Sequence, residues 1–592
     1  MRQLRTLMPY FRPYRRGLVA GLSLVVVSNV FTVAGPYILK VAIDALTVEL
    51  SGERIVRYAL LLVGAALLAG VTRYGMRELL NGISRRVETD IRNDLFAHFL
   101  RLPSEFYDRW RTGDLMSRAT NDVLAVRQVA GPAIMYLVNT AAVSALALGL
   151  MIWIDPRLTL WAMVPMVALP PVVILFGRRI HTRFERIQSQ FSEISSFAQE
   201  NLAGARIVKA YSRQTDQARR FAGLNEEYLR RNMSLARVWG AFFPTLALLG
   251  GLGAVVVLWV GGNRILQGAI TIGDFVAFGF YLTLLMWPMI SLGWVTNLFQ
   301  RGAASMGRIN ELLAVEPTIR HAPGAARVGG GLRGEIRFES VSFRYPGTER
   351  WVLRDVSFEV RPGQTVAVVG ATASGKSTLG SLIPRLYDAT EGVVRLDGTD
   401  VRRIPLSELR AAVSVVPQEA FLFSTELRKN IVMDGRGDGA AGSAASEAER
   451  LERALSIAQL ERTLEVLPDG LETRLGERGV NLSGGQKQRT ALARALVRDT
   501  PVLVLDDALS AVDTVTERAI LSGLRAFMRD RTSLIISHRV SAVAGADLIL
   551  VLEDGRLVET GTHDQLLALG GVYARLLERQ LLAEELEVGV AP

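Results

Sequence analysis

Long apolar segments alternate with polar connections through the first 300 residues of the chain. Six of these segments hold about 18 or more residues, enough to cross a bilayer as a helix, and none carries a charge near its centre. A soluble core does not need six such lengths in succession, so the pattern predicts transmembrane helices rather than buried core helices. Five spans follow the first and it has no small-residue cleavage site, which argues against a signal peptide. The predicted spans are 17 to 39, 58 to 75, 133 to 154, 158 to 178, 242 to 262 and 273 to 297.

The two longest connections predict the orientation of these spans. The connection from 76 to 132 carries nine Arg and that from 179 to 240 carries eleven Lys and Arg, whereas the other connections hold few basic residues. Because basic residues stay on the cytoplasmic side, both termini and both long connections are predicted to be cytoplasmic. Apolar residues recur in these connections at helical spacing, so helices should extend out of the membrane and reverse at short turns. The turns are expected within 111 to 123 and 201 to 214.

Composition narrows the function classes. The chain has 592 residues, a net charge of +10 and no cysteine. The basic excess lies in residues 1 to 330, where it alternates with apolar runs rather than aromatic platforms, and this favours a membrane surface over nucleic acid. The absence of cysteine excludes disulfides and thiolate metal sites, and five scattered histidines show no spacing for zinc. Since no ionisable residue is expected at mid-membrane, ion-coupled transport lacks its usual side chains and the energy must come from elsewhere.

A glycine-rich loop in the second half of the chain offers that energy source. The stretch GATASGKST follows the strand-like TVAVV and opens a helix-like run. The spacing G-x-x-x-x-G-K-S wraps backbone N–H groups around phosphates, places Lys376 on the outer phosphates and leaves the Ser377 hydroxyl for Mg²⁺. A nucleoside triphosphate with Mg²⁺ is therefore expected. The predicted binding loop comprises Gly370, Ala371, Thr372, Ala373, Ser374, Gly375, Lys376, Ser377 and Thr378, with Ala373 standing where many such loops have glycine.

A short apolar run, PVLVLDD, ends in two acidic residues. A continuous run of this length predicts a strand buried on both faces of a mostly parallel sheet. Such a strand would deliver Asp506 beside the phosphate loop to complete the Mg²⁺ shell, and would place Asp507 to orient an attacking water.

Further motifs stand in a characteristic order around these two. They are VVPQEAFLF with Gln418, NLSGGQKQR at 481 to 489, SAVD after the acidic strand, and LIISHR with His538. This order resembles the nucleotide-binding domain of ABC transporters, and the six spans with two long cytoplasmic excursions resemble the exporter type, with one half-transporter per chain. The resemblance covers residues from about 8 to about 580 and implies a multi-domain membrane protein that uses ATP and Mg²⁺. Its parts would be an all-α transmembrane domain of six helices and two cytoplasmic coupling helices at 1–310, a linker at 311–335, an α/β P-loop nucleotide-binding domain at 336–580 and a tail at 581–592.

The resemblance also implies roles for residues outside the phosphate loop. Tyr345 in FRYPG would stack on adenine, Gln418 would reach Mg²⁺ and His538 would contact the γ-phosphate; a strand-edge tyrosine and a structural histidine are the alternatives. In this family two nucleotide-binding domains meet head to tail, so the signature of one chain closes the ATP site of the other. A dimer is therefore implied, with GERG at 476 to 479 as a contact for a coupling helix. The residues implied to act across the dimer are Ser483, Gly484, Gly485 and Gln486 of the signature and Ser510 and Asp513 of the D-loop.

Asp507 departs from the family pattern, because most active ABC domains of this type have glutamate there. The shorter side chain withdraws its carboxylate, and a misplacement of about 1 Å can cost on the order of a hundredfold in rate. Since LSGGQ is intact, the resemblance favours a heterodimer in which this chain's own site holds ATP and its signature closes an active site on the partner. A homodimer with slow turnover stays open, as does an ATP-gated channel or regulatory membrane protein on the same fold.

The substrate is not readable from the spans. An apolar, aromatic and methionine-bearing pathway without fixed charge is compatible with amphipathic drugs, lipids or hydrophobic peptides, and family analogy favours a multidrug-like exporter of a bacterial inner membrane. Interhelical packing is the alternative role for the polar and aromatic residues of the spans. The residues that could line a cavity are Asn29, Asn139, Thr283, Met286, Trp287, Trp294 and Asn297. The stretch from 435 to 446 is rich in Gly and Ala and is predicted to be a flexible surface loop.

Overall fold

A computed structural model describes residues 2–48, 51–320, 331–433, 444–476 and 479–589. The chain divides into two compact units. The first contains Met1–Leu100 and Thr112–Val315, and the second contains Arg101–Arg111 and Glu316–Pro592. Most of the predicted surface loop at 435 to 446 and the central pair of GERG at 476 to 479 lie outside the described residues.

The described residues of the first unit form helices and short connections without a strand, and they confirm the six predicted spans. Six helical stretches are long and apolar enough to cross a membrane, and each contains one of the predicted segments. They run over Arg2–Thr47, Gly52–Phe99, Thr112–Ile154, Pro156–Ala203, Gln214–Leu266 and Ile272–Leu313. The α-helices within the unit are Met8–Phe11, Arg15–Val48, Gly52–Phe99, Thr112–Ser117, Val123–Gln128, Ile134–Ile154, Pro156–Val167, Leu169–Ala203, Ala205–Ala210, Gln214–Val256, Gly262–Leu266 and Ile272–Leu313, with short 3-10 turns at Arg2–Leu7 and Arg12–Tyr14 and π-helical turns at Arg118–Asp122, Val129–Ala133 and Val257–Gly261.

The two long excursions reverse at short helices, but only one does so where expected. The second excursion turns at Gly204 and the helix Ala205–Ala210, inside the predicted 201 to 214. The first turns earlier than the predicted 111 to 123, because its descending helix ends at Phe99 and Pro103 follows. Proline disfavours helical geometry in the residue before it, so the helix cannot continue through this point. Residues 112 to 123 instead belong to the returning helical stretch.

One charged side chain reaches deep into the spans, contrary to the expectation that no ionisable group lies at mid-membrane. Arg73 belongs to the helix Gly52–Phe99, near the end of its predicted span, and its guanidinium donates to the Thr32 hydroxyl at 3.2 Å. Thr32 lies inside the first predicted span, seven residues before its end at residue 39. The long arginine side chain therefore carries its charge further along the bundle than its position in the sequence suggests.

The second unit is the predicted α/β domain, and it is built on two sheets. The four-stranded sheet is antiparallel in the order β2-β1-β4-β5, and the six-stranded sheet has the order β10-β9-β3-β8-β7-β6, with only β10 antiparallel to its neighbour. The strands are β1 (Ile336–Phe343), β2 (Leu353–Val360), β3 (Thr365–Gly370), β4 (Glu391–Leu396), β5 (Thr399–Asp400), β6 (Val413–Val416), β7 (Val502–Asp506), β8 (Thr532–Ile536), β9 (Leu548–Glu553) and β10 (Arg556–Gly561). The α-helices are Ser104–Arg109, Lys376–Leu382, Leu406–Ala412, Leu427–Ile431, Ala444–Ile457, Glu461–Val466, Gly484–Val497, Thr514–Met528, Val540–Val543, His563–Leu569 and Val572–Gly589.

The central strands of the six-stranded sheet are buried on both faces. In β7, Val502 and Val504 pack into one apolar cluster, while Leu503 and Leu505 pack into the cluster on the opposite face. This alternation is the strand periodicity of two, applied to a strand with no solvent side. It confirms the prediction for PVLVLDD and fixes where β7 delivers Asp506, at the carboxyl edge of the sheet.

Candidate nucleotide-binding site

The phosphate loop lies between β3 and the helix Lys376–Leu382. Gly375 precedes the helix with φ of 100°, and a Cβ placed there would approach the Val352 carbonyl oxygen to 2.7 Å. Only glycine fits this conformation and this close approach. Ala373 also has a positive φ, of 65°, a conformation that an L residue adopts at a cost of about 1 to 2 kcal/mol. The loop therefore keeps the left-handed turn that glycine would favour, and holds it under strain.

Lys376 is the buried cation of this loop. Its side chain is 8 % exposed, and its ammonium donates to the carbonyl oxygens of Gly370 at 3.0 Å and Ala371 at 2.8 Å. Burial lowers the pKa of Lys376, while the charges of Asp507 and Asp506 act in the opposite direction. Among the described residues Lys376 forms no salt bridge. An ammonium held in this way is available to an incoming anion.

Two further features fit a phosphate group and Mg²⁺. The Ser374 hydroxyl is buried in the same loop without a hydrogen-bond partner, and an unsatisfied buried polar atom of this kind requires an explanation. Ser377, in the first turn of the following helix, donates from its hydroxyl to Asp506 Oδ1 at 2.9 Å. Burial raises the pKa of Asp506, the Asp507 charge adds to this, and Ser377 and Lys376 oppose it. A hydroxyl and a carboxylate are both oxygen ligands of the kind that Mg²⁺ prefers.

Asp507 is bound to His538. Asp507 Oδ1 lies 2.9 Å from His538 Nδ1 and accepts from the His538 backbone N–H at 3.2 Å. Asp507 follows β7 with φ of 43°, a left-handed conformation that aspartate tolerates better than most residues. The two predicted catalytic residues therefore meet, and the carboxylate is turned onto the histidine.

These elements surround one cavity of about 750 Å³. Of the predicted residues, Tyr345, Thr372, Ala373, Ser374, Gly375, Lys376, Ser377, Thr378, Gln418, Asp507 and His538 line it. Sequence reasoning missed other lining residues, namely Arg350, Trp351, Val352, Arg354, Asp554 and Gly555. The signal that could have found Arg350 and Trp351 is the cluster ERW at 349 to 351, which follows the FRYPG turn after one intervening residue.

Tyr345 lies at the edge of this cavity. Its hydroxyl is 3.1 Å from the Thr378 hydroxyl, and its ring makes edge contacts with Phe343 and Tyr387 at centroid distances of 5.0 and 5.5 Å. Tyr387 in turn donates to Asp108 in the helix Ser104–Arg109 at 2.6 Å. Adenine stacking by Tyr345 stays a prediction, and the tyrosine also belongs to an aromatic cluster that reaches this short helix.

The signature residues lie elsewhere in the unit and do not line the described cavity. Ser483 caps the helix Gly484–Val497, and its backbone N–H donates to the Gln486 side chain at 2.8 Å. Five residues after Ser483, the buried Gln488 donates to the Ser510 hydroxyl at 2.7 Å and accepts from the Ala511 N–H at 2.8 Å.

The D-loop is therefore tied to the signature helix through Gln488. Its last residue, Asp513, caps the helix Thr514–Met528 by accepting from the Thr516 N–H at 2.9 Å. Sequence reasoning named Ser510 and Asp513 but overlooked Gln488, whose amide bridges the two segments.

Both halves of the chain match known protein families. Residues 18–289 match the ABC transporter transmembrane region, and residues 353–510 match the ABC transporter domain. The chain is 37% identical to the probable multidrug resistance ABC transporter ATP-binding/permease protein YheI of Bacillus subtilis, over 97% of each chain. It belongs to the ABC transporter family.

Other relatives agree over the full length. The chain is 35% identical to the multidrug resistance-like ATP-binding protein MdlA of Escherichia coli, over 99% of this chain and 98% of that protein. It is also 35% identical to an ATP-dependent lipid A-core flippase of Nitrosococcus oceani, over 97% of this chain and 95% of that protein. A solved bacterial Atm1-family ABC exporter with ATP bound aligns with a TM-score of 0.75 at 30% identity, covering 96% of this chain and 99% of that one.

The family gives this ABC transporter chain its architecture and its energy source. It is a multi-pass membrane protein of the exporter type, a half-transporter that works as a dimer. In this family the cleavage of ATP, with Mg²⁺, supplies the energy for transport. Lys376 and Ser374 are the residues that would hold the phosphates in this chain, and Ser377, Asp506 and Gln418 are those that would hold the metal.

The predicted pathway residues separate into two groups. Asn29, Asn139 and Trp287 line one cavity of about 260 Å³ in the first unit. The other predicted residues, Thr283, Met286, Trp294 and Asn297, do not line this cavity. The Trp294 ring makes an edge contact with the Tyr136 ring at a centroid distance of 4.9 Å. The Thr283 hydroxyl donates a hydrogen bond to the Gly279 carbonyl oxygen of its own helix.

Proposed function

We propose that this chain is one half of an ATP-driven exporter of hydrophobic or amphipathic substrates, and that its own phosphate site binds ATP but hydrolyses it slowly. In this proposal both termini lie in the cytoplasm of a bacterium and the spans cross its inner membrane. The arginine-rich excursions favour that orientation. The roles for which the relatives are named, multidrug resistance and lipid A-core flipping, favour an apolar or amphipathic substrate.

The observation that carries the slow-site proposal is the contact between Asp507 and His538. A residue that orients an attacking water must present a free carboxylate oxygen within hydrogen-bond reach of that water. Asp507 has one methylene less than glutamate, and both contacts from His538 are to its Oδ1, so only Oδ2 is left to orient a water, and it does so from a shorter side chain that is turned onto the histidine. The remaining parts of the site, Lys376 and the Ser377–Asp506 pair, keep the geometry for binding.

A slow site of its own combined with an intact signature favours a heterodimer, because an active site then requires a different partner chain. The signature residues lie apart from the chain's own cavity, so they are free to close a second site on a partner. Backbone N–H groups at the start of the helix Gly484–Val497 form an anion site suited to a terminal phosphate. In the proposed cycle the chain's own site holds ATP and keeps the dimer together, while the partner's site turns over.

Purification of the complex from its native host, through a tag on this chain, tests the proposal. We expect a second chain with glutamate at the position equivalent to Asp507, and we expect trapped ADP mainly in the site that Ser483 closes. The chain purified alone should bind ATP with little turnover. Brisk turnover by a homodimer, or equal ADP formation in both sites, would overturn the slow-site assignment. Uphill transport into proteoliposomes would support an exporter, whereas purely downhill flux would indicate the alternative of a channel.

A further inference from the structure

One cavity in the first unit combines positive charge, amide groups and an aromatic ring. Its volume is about 260 Å³, and the residues on which the following argument rests are Asn29, Thr32, Arg73, Arg77, Asn139 and Trp287. They come from four of the six membrane-spanning stretches. Cavities between helices, with a few placed polar groups among apolar ones, are the usual form of a binding site in a helical bundle.

The charge lies at membrane depth rather than at the surface. Ser28 in the first span donates to the Ala69 carbonyl of the second at 3.3 Å, which sets the register between these helices. Arg73 is one turn further along and reaches Thr32. At 1.5 Å per residue, Thr32 stands about 10 Å from the nearer end of its predicted span and about 20 Å from the other end, within the hydrocarbon layer. Arg77 lies four residues after Arg73, so both arginines are on the same face of the helix.

Two basic residues just beyond the ends of other spans, Lys40 and Arg264, are paired with carboxylates, whereas among the described residues Arg73 and Arg77 are not. Lys40 forms a salt bridge with Asp274 at 2.6 Å, and Arg264 forms one with Asp155 at 2.6 Å. Across the part of the chain that the structure describes, neither Arg73 nor Arg77 forms a salt bridge with a carboxylate; the described polar contact of Arg73 is the neutral Thr32 hydroxyl. An unpaired guanidinium within a bilayer is costly, and such residues mark ligand or ion pathways.

The neighbouring groups define what such a ligand would look like. Asn29 donates to Asn139 Oδ1 at 3.1 Å, so this amide pair adds hydrogen-bonding capacity beside the arginines. Guanidinium groups bind carboxylates and phosphates with two parallel hydrogen bonds. The Trp287 ring and the apolar lining offer contact to a hydrocarbon portion.

The geometry points to a subsite for the negatively charged headgroup of an amphipathic substrate, with Arg73 as its principal ligand and Arg77 and the Asn29–Asn139 pair beside it. The assignment rests on the proposed export function, and it narrows the substrate class from amphipathic molecules in general to amphipathic anions. It replaces the expectation of a pathway without fixed charge.

A binding measurement tests this subsite without ATP or transport, so its outcome is independent of the slow-site proposal. The tagged complex in nanodiscs is titrated with oleoyl lysophosphatidic acid and with oleoyl lysophosphatidylcholine, whose headgroup has no net charge. We expect the dissociation constant of the anionic lipid to be lower than that of the neutral lipid by a ratio of about ten or more. The Arg73→Gln variant should reduce that ratio to near one, whereas Arg73→Lys should keep most of it. Arg57→Gln, which removes an exposed charge on the same helix, should leave the ratio unchanged.

The ratio of the two affinities distinguishes a lost subsite from a folding defect, because a misfolded variant would bind both lipids more weakly. An unchanged preference in a folded Arg73→Gln variant would overturn the subsite. A competition experiment with inorganic phosphate completes the test. If phosphate displaced the anionic lipid at a concentration equal to that of the lipid, the site would be a simple anion site, and the assignment to an amphipathic substrate would be overturned.

Discussion

Asp507 Oδ1 lies 2.9 Å from His538 Nδ1 and accepts from the backbone N–H of the same residue. The contact joins the ends of two adjacent parallel strands, because β7 precedes Asp507 and β8 precedes the loop that carries His538. Strand pairing therefore fixes the distance between the two backbones. The length of the acidic side chain then decides whether its carboxylate stays on the histidine or extends beyond it.

Lengthening this side chain should accelerate hydrolysis. In Asp507→Glu we expect ATP turnover at the chain's own site to rise by about tenfold to a hundredfold, because the carboxylate moves outward by one methylene. Trapped ADP, measured separately for each site of the complex, reports the change. Asp507→Asn, which keeps the length but removes the charge, should stay at or below the wild-type rate. An unchanged rate in the glutamate variant would contradict the explanation based on side-chain length.

Replacing the buried lysine should stabilise the nucleotide-free protein. Burial lowers the pKa of Lys376 below its ordinary value of 10.5, so the unfolded chain binds this proton more tightly than the folded chain. The charged lysine therefore costs stability below its folded pKa, and the cost disappears as the pH rises through 10.5. We expect Lys376→Met to raise the melting temperature by a few degrees at neutral pH, with a smaller gain toward pH 10.5.

The same variant should no longer be stabilised by ATP, because it lacks the ammonium that would hold the phosphates. Thermal unfolding with and without ATP, across the pH range, measures both effects. Lys209→Met removes an exposed lysine and should produce neither of them. A rise in melting temperature of Lys376→Met that does not change with pH would contradict the explanation by the lowered pKa of Lys376.

The strain at Ala373 should be removable. Ala373 has a φ of 65°, a conformation that costs an L residue about 1 to 2 kcal/mol. Ala373→Gly removes this cost but loses about 0.5 to 1 kcal/mol, because glycine gives up more backbone entropy on folding. We expect a net gain of up to about 1 kcal/mol in the free energy of unfolding, measured by denaturant titration. Ala371→Gly is the matched control, since Ala371 does not have a positive φ and the change should destabilise the protein. Equal effects from both changes would rule out strain at Ala373.

Removing the Gln488 amide should loosen the D-loop. Gln488→Leu keeps the volume but leaves the Ser510 hydroxyl and the Ala511 N–H without this partner. Because Ser510 is half-buried and Ala511 is exposed, we expect a cost of about 1 kcal/mol, at the lower end of the range for a lost hydrogen-bond partner. We expect a lower melting temperature and a loss of hydrolysis at the site that the signature closes. In Gln488→Glu the Ser510 hydroxyl can donate to the new carboxylate, so melting temperature and hydrolysis should both fall less than in Gln488→Leu. If both variants behave alike, the bridge is not what positions the D-loop.

Sequence patterns predicted the burial of single elements and the meeting of recognised motifs. The periodicity of β7 gave its two-sided burial, and the motifs of the phosphate loop and the acidic strand end gave the approach of Ser377 to Asp506, although these residues are far apart in the sequence. Contacts between distant residues outside such motifs were not predictable in this way. The reach of Arg73 to Thr32 depends on the register of two helices, and the bridge from Gln488 to the D-loop depends on packing across many residues. The early reversal at Pro103 had a local signal, but the polar turn that follows it drew the prediction further along the chain.

The segment Arg101–Arg111 has a practical consequence for anyone who wishes to study the ATPase unit by itself. These residues are encoded between two membrane spans, yet they fold with the second unit, where Phe106 is buried and Asp108 accepts from Tyr387. A fragment cut at the obvious boundary near Glu316 would lack this piece of its own structure. It would leave the Tyr387 hydroxyl without its acceptor, next to the tyrosine predicted to receive adenine, so nucleotide affinities measured on such a fragment would describe an incomplete domain.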